Sequence, residues 1–127
     1  MIKVYNKNIE AHMGSNNYPI YRGGSILGNP YTHIKDKKTK AQFVVRSREE
    51  AIEKYSNYFD IMYTGNKEFR ALVDEIYGRY KTGEDIYLEC YCAPLPCHGD
   101  VIKQKLEQRL LRERITEKIQ HKYEKTL

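Results

Sequence analysis

The sequence predicts a small α/β protein with a short, mostly parallel sheet flanked by three main helices. Three observations support this fold class. Extended, β-branched runs lie near the N-terminus and at 85–91, two amphipathic helical stretches separate these runs, and a third helical stretch follows the second run. A chain of 127 residues is long enough to bury one core without disulfides, so we expect a single domain over 1–127.

The first part of the chain predicts two strands followed by a long loop. The run IKVYN at 2–6 alternates apolar and polar residues and is rich in β-branched side chains, which is typical of a strand. The run YPIY at 18–21 predicts a second, shorter strand. The segment 22–40 is rich in glycine and lysine and has no apolar period, so we expect it to be a loop.

Two helices are predicted next. SREE at 47–50 is a capping box, in which Ser47 caps the helix and Glu50 reaches back. The apolar residues that follow it fall on one helical face and predict a helix over 48–63. After the break TGN, a second apolar face predicts a helix from Phe69 to Tyr80.

The last part of the chain predicts a central strand and a long C-terminal helix. DIYLECY at 85–91 is a short apolar run and is the best candidate for a buried central strand. A third helix is expected from Gly99, and its apolar row continues through Leu111, Ile115 and Ile119. A free helix with an apolar face is marginal in water, so this row either packs back on its own domain or pairs with a second copy. We favour pairing, in a homodimer or higher homo-oligomer.

The first candidate binding element is YRGGSILGNPY, residues 21–31, here called the glycine loop. Its glycines permit backbone conformations and close approaches that a Cβ would block. Arg22 and the amides of Gly23, Gly24 and Ser25 form a set of donors that can hold an anion. The alternative is that the loop is only a tight connection, since it matches neither of the standard glycine-rich phosphate motifs.

The second candidate element is CYCAPLPCHGD, residues 90–100, here called the cysteine loop. It contains all three cysteines and lies where the predicted central strand passes into a helix. In α/β sheets, ligands bind at this carboxyl end of the strands. The first amides of the helix, at Gly99 and Asp100, have no partner within the helix and can contact a ligand. Asp100 can equally act as the helix cap.

The side chains of the cysteine loop permit three interpretations. In the first, Cys90, Cys92, Cys97 and His98 supply the four ligands of a zinc ion, although one short loop would then have to provide all of them. In the second, Cys97 is a catalytic nucleophile, with His98 as its base and Asp100 assisting. In the third, Cys90 is a small buried apolar residue and His98 hydrogen-bonds to the backbone.

These two loops together carry a family resemblance. With the helical stretch that starts REEAIEKY at 48–55 between them, they resemble the domain of unknown function 4326 family. The resemblance covers about residues 18–108 and leaves 109–127 as a C-terminal helical extension. It implies a small Rossmann-like α/β fold and an origin in bacteria or phages, and it implies no established reaction. Two departures concern Arg22, whose order relative to glycine differs from the usual one, and Tyr91, where tryptophan is common.

The resemblance and the residue chemistry together predict one pocket between the glycine loop and the cysteine loop. Backbone amides, an arginine and a histidine suit a phosphorylated, nucleotide-like ligand, and tyrosines can stack on a base. The predicted ligand-binding residues are Tyr21, Arg22, Gly23, Gly24, Ser25, Gly28, Asn29, Pro30, Tyr31, Tyr91, Cys92, Cys97, His98, Gly99 and Asp100.

Composition argues against several other partners. No apolar run approaches the roughly 18 residues of a membrane span, and the N-terminus lacks the apolar region of a signal peptide, so we expect a cytoplasmic protein with reduced thiols. The net charge of +5 is concentrated after residue 100, where lysine and arginine alternate with glutamate. Such a pattern is typical of a solvated helix face, so nucleic-acid binding is not expected.

Two functions of different class then compete. The favoured hypothesis is a phage-type protein that binds and sequesters a phosphorylated, nucleotide-derived small molecule, such as an ADP-ribose-type or cyclic-nucleotide immune signal of the host, with no cofactor. It is favoured by the small size of the chain and by the lack of a carboxylate pair for acid–base catalysis. The alternative is an enzyme that cleaves or transfers on the same class of ligand through Cys97, His98 and Asp100. A further alternative is a small zinc-binding interaction domain.

Overall fold

A computed structural model describes residues 1–34 and 41–126 of the chain. It has a small α/β fold, as the sequence predicts. In chain order the strands are β1 (Ile2–Asn6), β2 (Asn17–Pro19), β3 (Tyr31–Thr32), β4 (Phe43–Val44) and β5 (Ile86–Cys90), and the helices are α1 (Arg48–Gly65) and α2 (Lys67–Lys81), both before β5, and α3 (His98–Thr126) after it.

The main sheet has three parallel strands in the order β1-β5-β2. Ile2 pairs with Ile86 at one end of the β1–β5 ladder, and Pro19 pairs with Glu89 in the β2–β5 ladder. The prediction that β5 is the central strand is therefore confirmed. Because β2 and β5 run in the same direction side by side, the loops that follow them begin at the same edge of the sheet.

The predicted helix boundaries follow from capping side chains. The Ser47 hydroxyl accepts a hydrogen bond from the Glu50 amide at 3.1 Å, which confirms the predicted cap of α1. The Glu50 carboxylate reaches back to the amide of Arg46 at 3.3 Å. Asn66 separates α1 from α2, and its side-chain oxygen accepts from the Phe69 amide at 3.0 Å. A new N-cap at this position explains why one helical run becomes two helices.

The core is formed by the three helices and the sheet. Helix α1 packs against α2 and α3, α3 contacts β1, and α2 contacts β5. The largest fully buried side chains are Tyr55, Phe69, Ile20, Leu27, Ile76, Ile86, Leu88, Ile102, Leu106 and Cys90. Ile20 and Leu27 belong to the segment that connects β2 to β3, so Leu27 anchors the glycine loop in the core.

The predicted loop over 22–40 contains a strand that the sequence does not signal. Strand β3 pairs in parallel with β4, with Tyr31 opposite Phe43 and Thr32 opposite Val44. Two-residue strands are too short to show an alternating pattern, so periodicity could not reveal them. The rest of the predicted loop, 35–40, lies outside the described residues.

Helix α3 contacts the domain up to Glu113, which accepts hydrogen bonds from Tyr77 and Lys81 of α2. Leu110 is the last buried residue of α3, and the apolar row Leu111, Ile115 and Ile119 beyond it is exposed. Within 1–34 and 41–126, none of the helices combines the length and the apolarity needed to cross a membrane.

Candidate functional site

A cavity of about 220 Å³ lies at the carboxyl edge of the sheet, where β2 and β5 end. It opens between the glycine loop, the cysteine loop and the beginning of α1. Its lining residues in the described part of the chain are Tyr21, Arg22, Asn29, Tyr31, Thr32, His33, Ile34, Arg48, Ala51, Ile52, Cys90, Tyr91, Cys92, Pro96, Cys97 and His98.

One hydrogen bond joins the two loops directly. His98 Nε2 lies 2.6 Å from the carbonyl oxygen of Ile20, and because a carbonyl only accepts, the ring nitrogen carries the proton. Gly99 allows this approach, since a Cβ at that position would lie 2.8 Å from side-chain atoms of both Ile20 and Val4. The first turn of α3 is therefore held directly against the segment that follows β2.

Arg22 is fixed by the glycine loop itself. Its Nη1 donates to the carbonyl oxygens of Asn29 at 3.0 Å and Tyr31 at 3.2 Å. The Asn29 side chain in turn donates to the carbonyl oxygen of Ala51 in α1 at 3.2 Å. A Cβ on Gly28 would lie 2.8 Å from the Arg22 Cα, so only glycine permits this close backbone approach. Half-burial lowers the pKa of Arg22, which still remains a cation at neutral pH.

The Gly24 amide and the Ser25 hydroxyl of the glycine loop have internal partners. The Gly24 amide donates to the Tyr21 carbonyl oxygen at 2.9 Å. The Ser25 hydroxyl donates to the Pro19 carbonyl oxygen at 2.5 Å and accepts from the Leu27 amide. These bonds shape the turn around Arg22 and do not direct donors into the cavity.

Aromatic side chains form the rim of the cavity. The rings of Tyr21 and Tyr91 meet edge to face, with centroids 4.8 Å apart. Lys7 Nζ lies 5.1 Å and 5.3 Å from these two centroids, within the range of a cation–π contact. On the other side, Tyr31 stacks on Phe43 with centroids 5.3 Å apart. The cavity mouth thus offers ring surfaces next to the Lys7 ammonium, which also lies 3.6 Å from the Glu89 carboxylate.

The beginning of α3 explains the positions of Cys97 and Asp100. The Gly99 amide donates to Cys97 Sγ at 3.3 Å, and the Cys97 amide donates to the Asp100 carboxylate at 3.0 Å. This reciprocal pattern is a capping box with a sulfur in place of the usual hydroxyl. Of the two roles open to Asp100, the structure shows the cap. The side chain is exposed and does not line the cavity.

Cys92 has the most charged surroundings of the three thiols. Hydrogen bonding from Cys97, a hydrogen bond from Arg48 and the charge of Arg22 lower the pKa of Cys92 to about 6, against the opposing effect of burial. The pKa of Cys97 is raised, because its thiol is held as a donor between Cys90 and Cys92 and is buried. The same Cys97 thiol lowers the pKa of Cys90 to about 6 as well, so Cys97 is the cysteine of this cluster that holds its proton most strongly.

His98 is buried and neutral. Burial, with a smaller effect of the Arg22 charge, lowers its pKa to about 4, and the bond to the Ile20 carbonyl and the charge of Asp100 oppose this change. Its ring also meets the Tyr55 ring edge to face, with centroids 4.9 Å apart. The Nε2 proton is committed to a backbone carbonyl, so in this arrangement His98 positions the loops. In 1–34 and 41–126, no three or more His, Cys, Asp or Glu side chains form a group that could hold a metal ion.

A comparison with protein families gives one match. The model of a family described as domain of unknown function DUF4326 matches residues 4–108, which is most of the chain.

The chain belongs to the DUF4326 family.

The DUF4326 match begins in β1 and ends in the buried part of α3, so it extends further toward the N-terminus than the resemblance over about 18–108 predicted. It includes both loops of the cavity and leaves the exposed end of α3 outside. Searches of curated proteins and of solved structures find no match.

Within this DUF4326 domain, the structure brings together about half of the residues predicted to bind a ligand. Those that line the cavity are Tyr21, Arg22, Asn29, Tyr31, Tyr91, Cys92, Cys97 and His98. Those that do not line it are Gly23, Gly24, Ser25, Gly28, Pro30, Gly99 and Asp100. The second group contains the glycines and caps that shape the two loops, so these residues act on the cavity through backbone geometry.

Arg48 is the main functional candidate that sequence reasoning missed. It is the first residue of α1, its Nη1 lies 3.3 Å from the Pro96 carbonyl oxygen, and it faces Cys92 across the cavity. The capping box at Ser47 could have suggested it, since a helix that starts near the carboxyl edge of a sheet places its first side chains at the binding crevice. The described lining thus contains two guanidinium groups and no carboxylate.

Proposed function

We propose that this DUF4326 protein binds and sequesters a phosphorylated, nucleotide-derived small molecule in the cavity. The observation that carries the proposal is the charge of the lining: Arg22 and Arg48 face the cavity, and no Asp or Glu is among its described lining residues. Guanidinium groups are the side chains best suited to phosphate, because their planar donors match phosphate oxygens. The tyrosines at the rim supply ring surfaces for a base.

The size of the cavity limits what part of the ligand it can enclose. Its volume of about 220 Å³ lies below the roughly 300–1,000 Å³ that is common for pockets that enclose drug-sized ligands. One phosphorylated unit therefore fits inside, and the remainder of an ADP-ribose-type or cyclic-nucleotide ligand extends over Tyr21 and Tyr91. A host immune signal of this class, met in the cytoplasm of a phage-infected cell, would fit both the chemistry and the family.

The hydrogen bonds of the cysteine loop favour sequestration over catalysis. The three groups expected to act in an enzyme have structural partners: Cys97 caps α3, His98 binds the Ile20 carbonyl, and Asp100 accepts from the Cys97 amide. A general base needs a free nitrogen or carboxylate within reach of the proton it removes. Among Cys97, His98 and Asp100, no residue is placed to act as a base toward another.

The test is ligand binding by the full chain to ADP-ribose and to a panel of cyclic dinucleotides, measured by calorimetry. Arg48→Met removes one guanidinium from the lining, and Arg46→Met is the matched control because the Arg46 side chain is 94% exposed. A charge-assisted hydrogen bond is worth about 1.5–3 kcal/mol, so we expect Arg48→Met to weaken binding roughly 10- to 150-fold. Arg22 is a less clean probe, because its removal also breaks two bonds within the glycine loop.

The fate of the ligand separates binding from turnover. After binding, heat denaturation of the protein should return the ligand chemically intact and in no more than one equivalent. Product that accumulates beyond one equivalent, and that Cys97→Ser or His98→Gln abolishes, would replace sequestration by catalysis. If no member of the panel binds, or if Arg46→Met weakens binding as much as Arg48→Met, the proposed site is wrong.

A further inference from the structure

The cavity holds three thiols at one end, and they differ in access. Cys90 and Cys97 are 1% and 4% exposed, whereas Cys92 is partly exposed at the cavity wall. The Cys97 thiol interacts with the sulfurs of both neighbours. A small reagent that enters the cavity therefore reaches Cys92 first and finds a second thiol directly behind it.

The charges around Cys92 stabilise its anionic form. Arg48 of α1 hydrogen-bonds to the Cys92 sulfur, and Arg22 of the glycine loop adds a second positive charge. From its own loop, Cys92 faces the thiols of Cys90 and Cys97. Reactive cysteines lie in electropositive, partly exposed surroundings of this kind, whereas buried structural cysteines are inert.

Cys97 is the better partner for Cys92 than Cys90 is. Cys90 and Cys97 both belong to the buried core, and each sulfur accepts one backbone amide, from Ala93 at 3.4 Å and from Gly99 at 3.3 Å. Of the two, Cys97 is the one whose thiol interacts directly with the Cys92 sulfur. Cys97 keeps its proton and lies at the N-terminus of α3, beside the Cys92 sulfur. An oxidised Cys92 would therefore meet a neighbouring thiol without any unfolding of the core.

We propose that Cys92 is an oxidation site for hydroperoxides and that Cys97 resolves the oxidised form to a disulfide. In the first step, the Cys92 thiolate attacks one peroxide oxygen. The S–O bond forms as the O–O bond breaks, giving a sulfenic acid and a hydroxide or alkoxide that takes a proton from solvent. In the second step, the Cys97 sulfur attacks the Cys92 sulfur, the S–S bond forms and the S–O bond breaks. The oxygen leaves as water with the Cys97 proton, and the two thiols have given two electrons to the peroxide.

The primary test uses the unmodified full chain. The reduced protein is treated with hydrogen peroxide, unfolded in the presence of N-ethylmaleimide and analysed by intact and tandem mass spectrometry. We expect a mass lower by two hydrogen atoms before labelling, and a single maleimide, on Cys90, after it. A maleimide on Cys92 or Cys97 of the oxidised form would overturn the pairing. Sulfinic acid at Cys92, or no oxidation at all, would overturn the resolving step or the site.

Variants test each role separately. Cys97→Ser keeps a side-chain cap for α3, because serine accepts the Gly99 amide well, and it should accumulate sulfenic acid that dimedone traps at Cys92. Cys92→Ser should form no disulfide, while Cys90→Ser, which keeps both proposed partners, should still form it. Arg48→Met should slow oxidation at pH 6 by about twofold to fivefold, because a smaller fraction of Cys92 is then thiolate, while the higher nucleophilicity of that thiolate offsets part of the loss. Arg46→Met should leave the oxidation rate unchanged. Disulfide formation in Cys92→Ser would refute the assignment. The test requires no nucleotide ligand, so it stands or fails independently of the proposed function.

Discussion

His98 makes the stability of this domain depend on pH in a way that can be isolated by one substitution. The imidazole is buried at the start of α3, donates from Nε2 to the Ile20 carbonyl oxygen and joins the two loops of the cavity. Burial lowers its pKa from 6.5 to about 4. In the unfolded chain the same ring is in water and titrates near its ordinary value. The folded state therefore binds the proton more weakly than the unfolded state does.

The sign and size of the effect follow from linkage. Between pH 6.5 and pH 4, the unfolded chain binds a proton at residue 98 that the folded chain does not, so the free energy of unfolding falls as the pH falls. With these two pKa values, moving from pH 7 to pH 5 costs about 2 kcal/mol of stability from this one residue. This is a large part of the roughly 5–15 kcal/mol that a domain of this size has in total.

The assay is urea unfolding at pH 7 and pH 5 for the parent, His98→Gln and His121→Gln. Glutamine can donate to the Ile20 carbonyl but does not titrate, and His121 lies on the exposed part of α3, so its variant is the matched control. From pH 7 to pH 5, we expect the free energy of unfolding of the parent and of His121→Gln to fall by about 2 kcal/mol more than that of His98→Gln. Carboxylates that titrate at low pH affect all three chains equally. An equal loss in the parent and in His98→Gln would refute the reasoning.

Three further outcomes are expected. In urea titrations, Gly28→Ala should lower the free energy of unfolding by about 1–3 kcal/mol, because the added Cβ would press on the Arg22 backbone. Gly78→Ala, whose Cβ meets open space in α2, should raise the free energy of unfolding by up to about 1 kcal/mol. EDTA should leave the thermal unfolding midpoint unchanged, because the Cys97 sulfur and His98 Nε2 already have protein partners; unfolding in EDTA would restore the zinc interpretation. In size-exclusion chromatography with light scattering, the full chain should run as a dimer that forms through the exposed apolar row of α3, and a chain that ends at residue 114 should run as a monomer. A full-length monomer at high micromolar concentration would contradict this prediction.

The elements that the sequence predicts well are those whose signals are local. The cap at Ser47 and the apolar faces of α1 and α2 fix those helices to within a few residues, because capping and period depend on near neighbours. The central position of β5 follows from its mostly apolar composition, IYLEC. The meeting of the glycine and cysteine loops follows from the rule that parallel strands end at one edge.

The parts that the sequence could not give depend on contacts between distant segments. The capping box at Ser47 can place Arg48 near the binding crevice, but it does not show that Arg48 meets Cys92, since the two residues come together only in the folded chain. The sequence CYCAPLPCHGD likewise does not show how the three cysteines differ in burial and in pKa. The motif favours Cys97 as the nucleophile, because it stands at a helix N-terminus. In the folded chain its sulfur is committed to the Gly99 amide and to its neighbours, and the partly exposed thiol with a lowered pKa is Cys92.

The two proposals made for the cavity are linked through the same charges. The Cys92 thiolate neutralises part of the positive charge of Arg22 and Arg48, and those guanidinium groups are the ones proposed to hold phosphate. A disulfide between Cys92 and Cys97 removes the negative charge and leaves both guanidinium groups to an anionic ligand. Because coupling between two equilibria is reciprocal, an anion bound at Arg48 must also make Cys92 harder to ionise and slower to oxidise. A thiolate placed between two arginines therefore connects the redox state of the cavity to its affinity for phosphate.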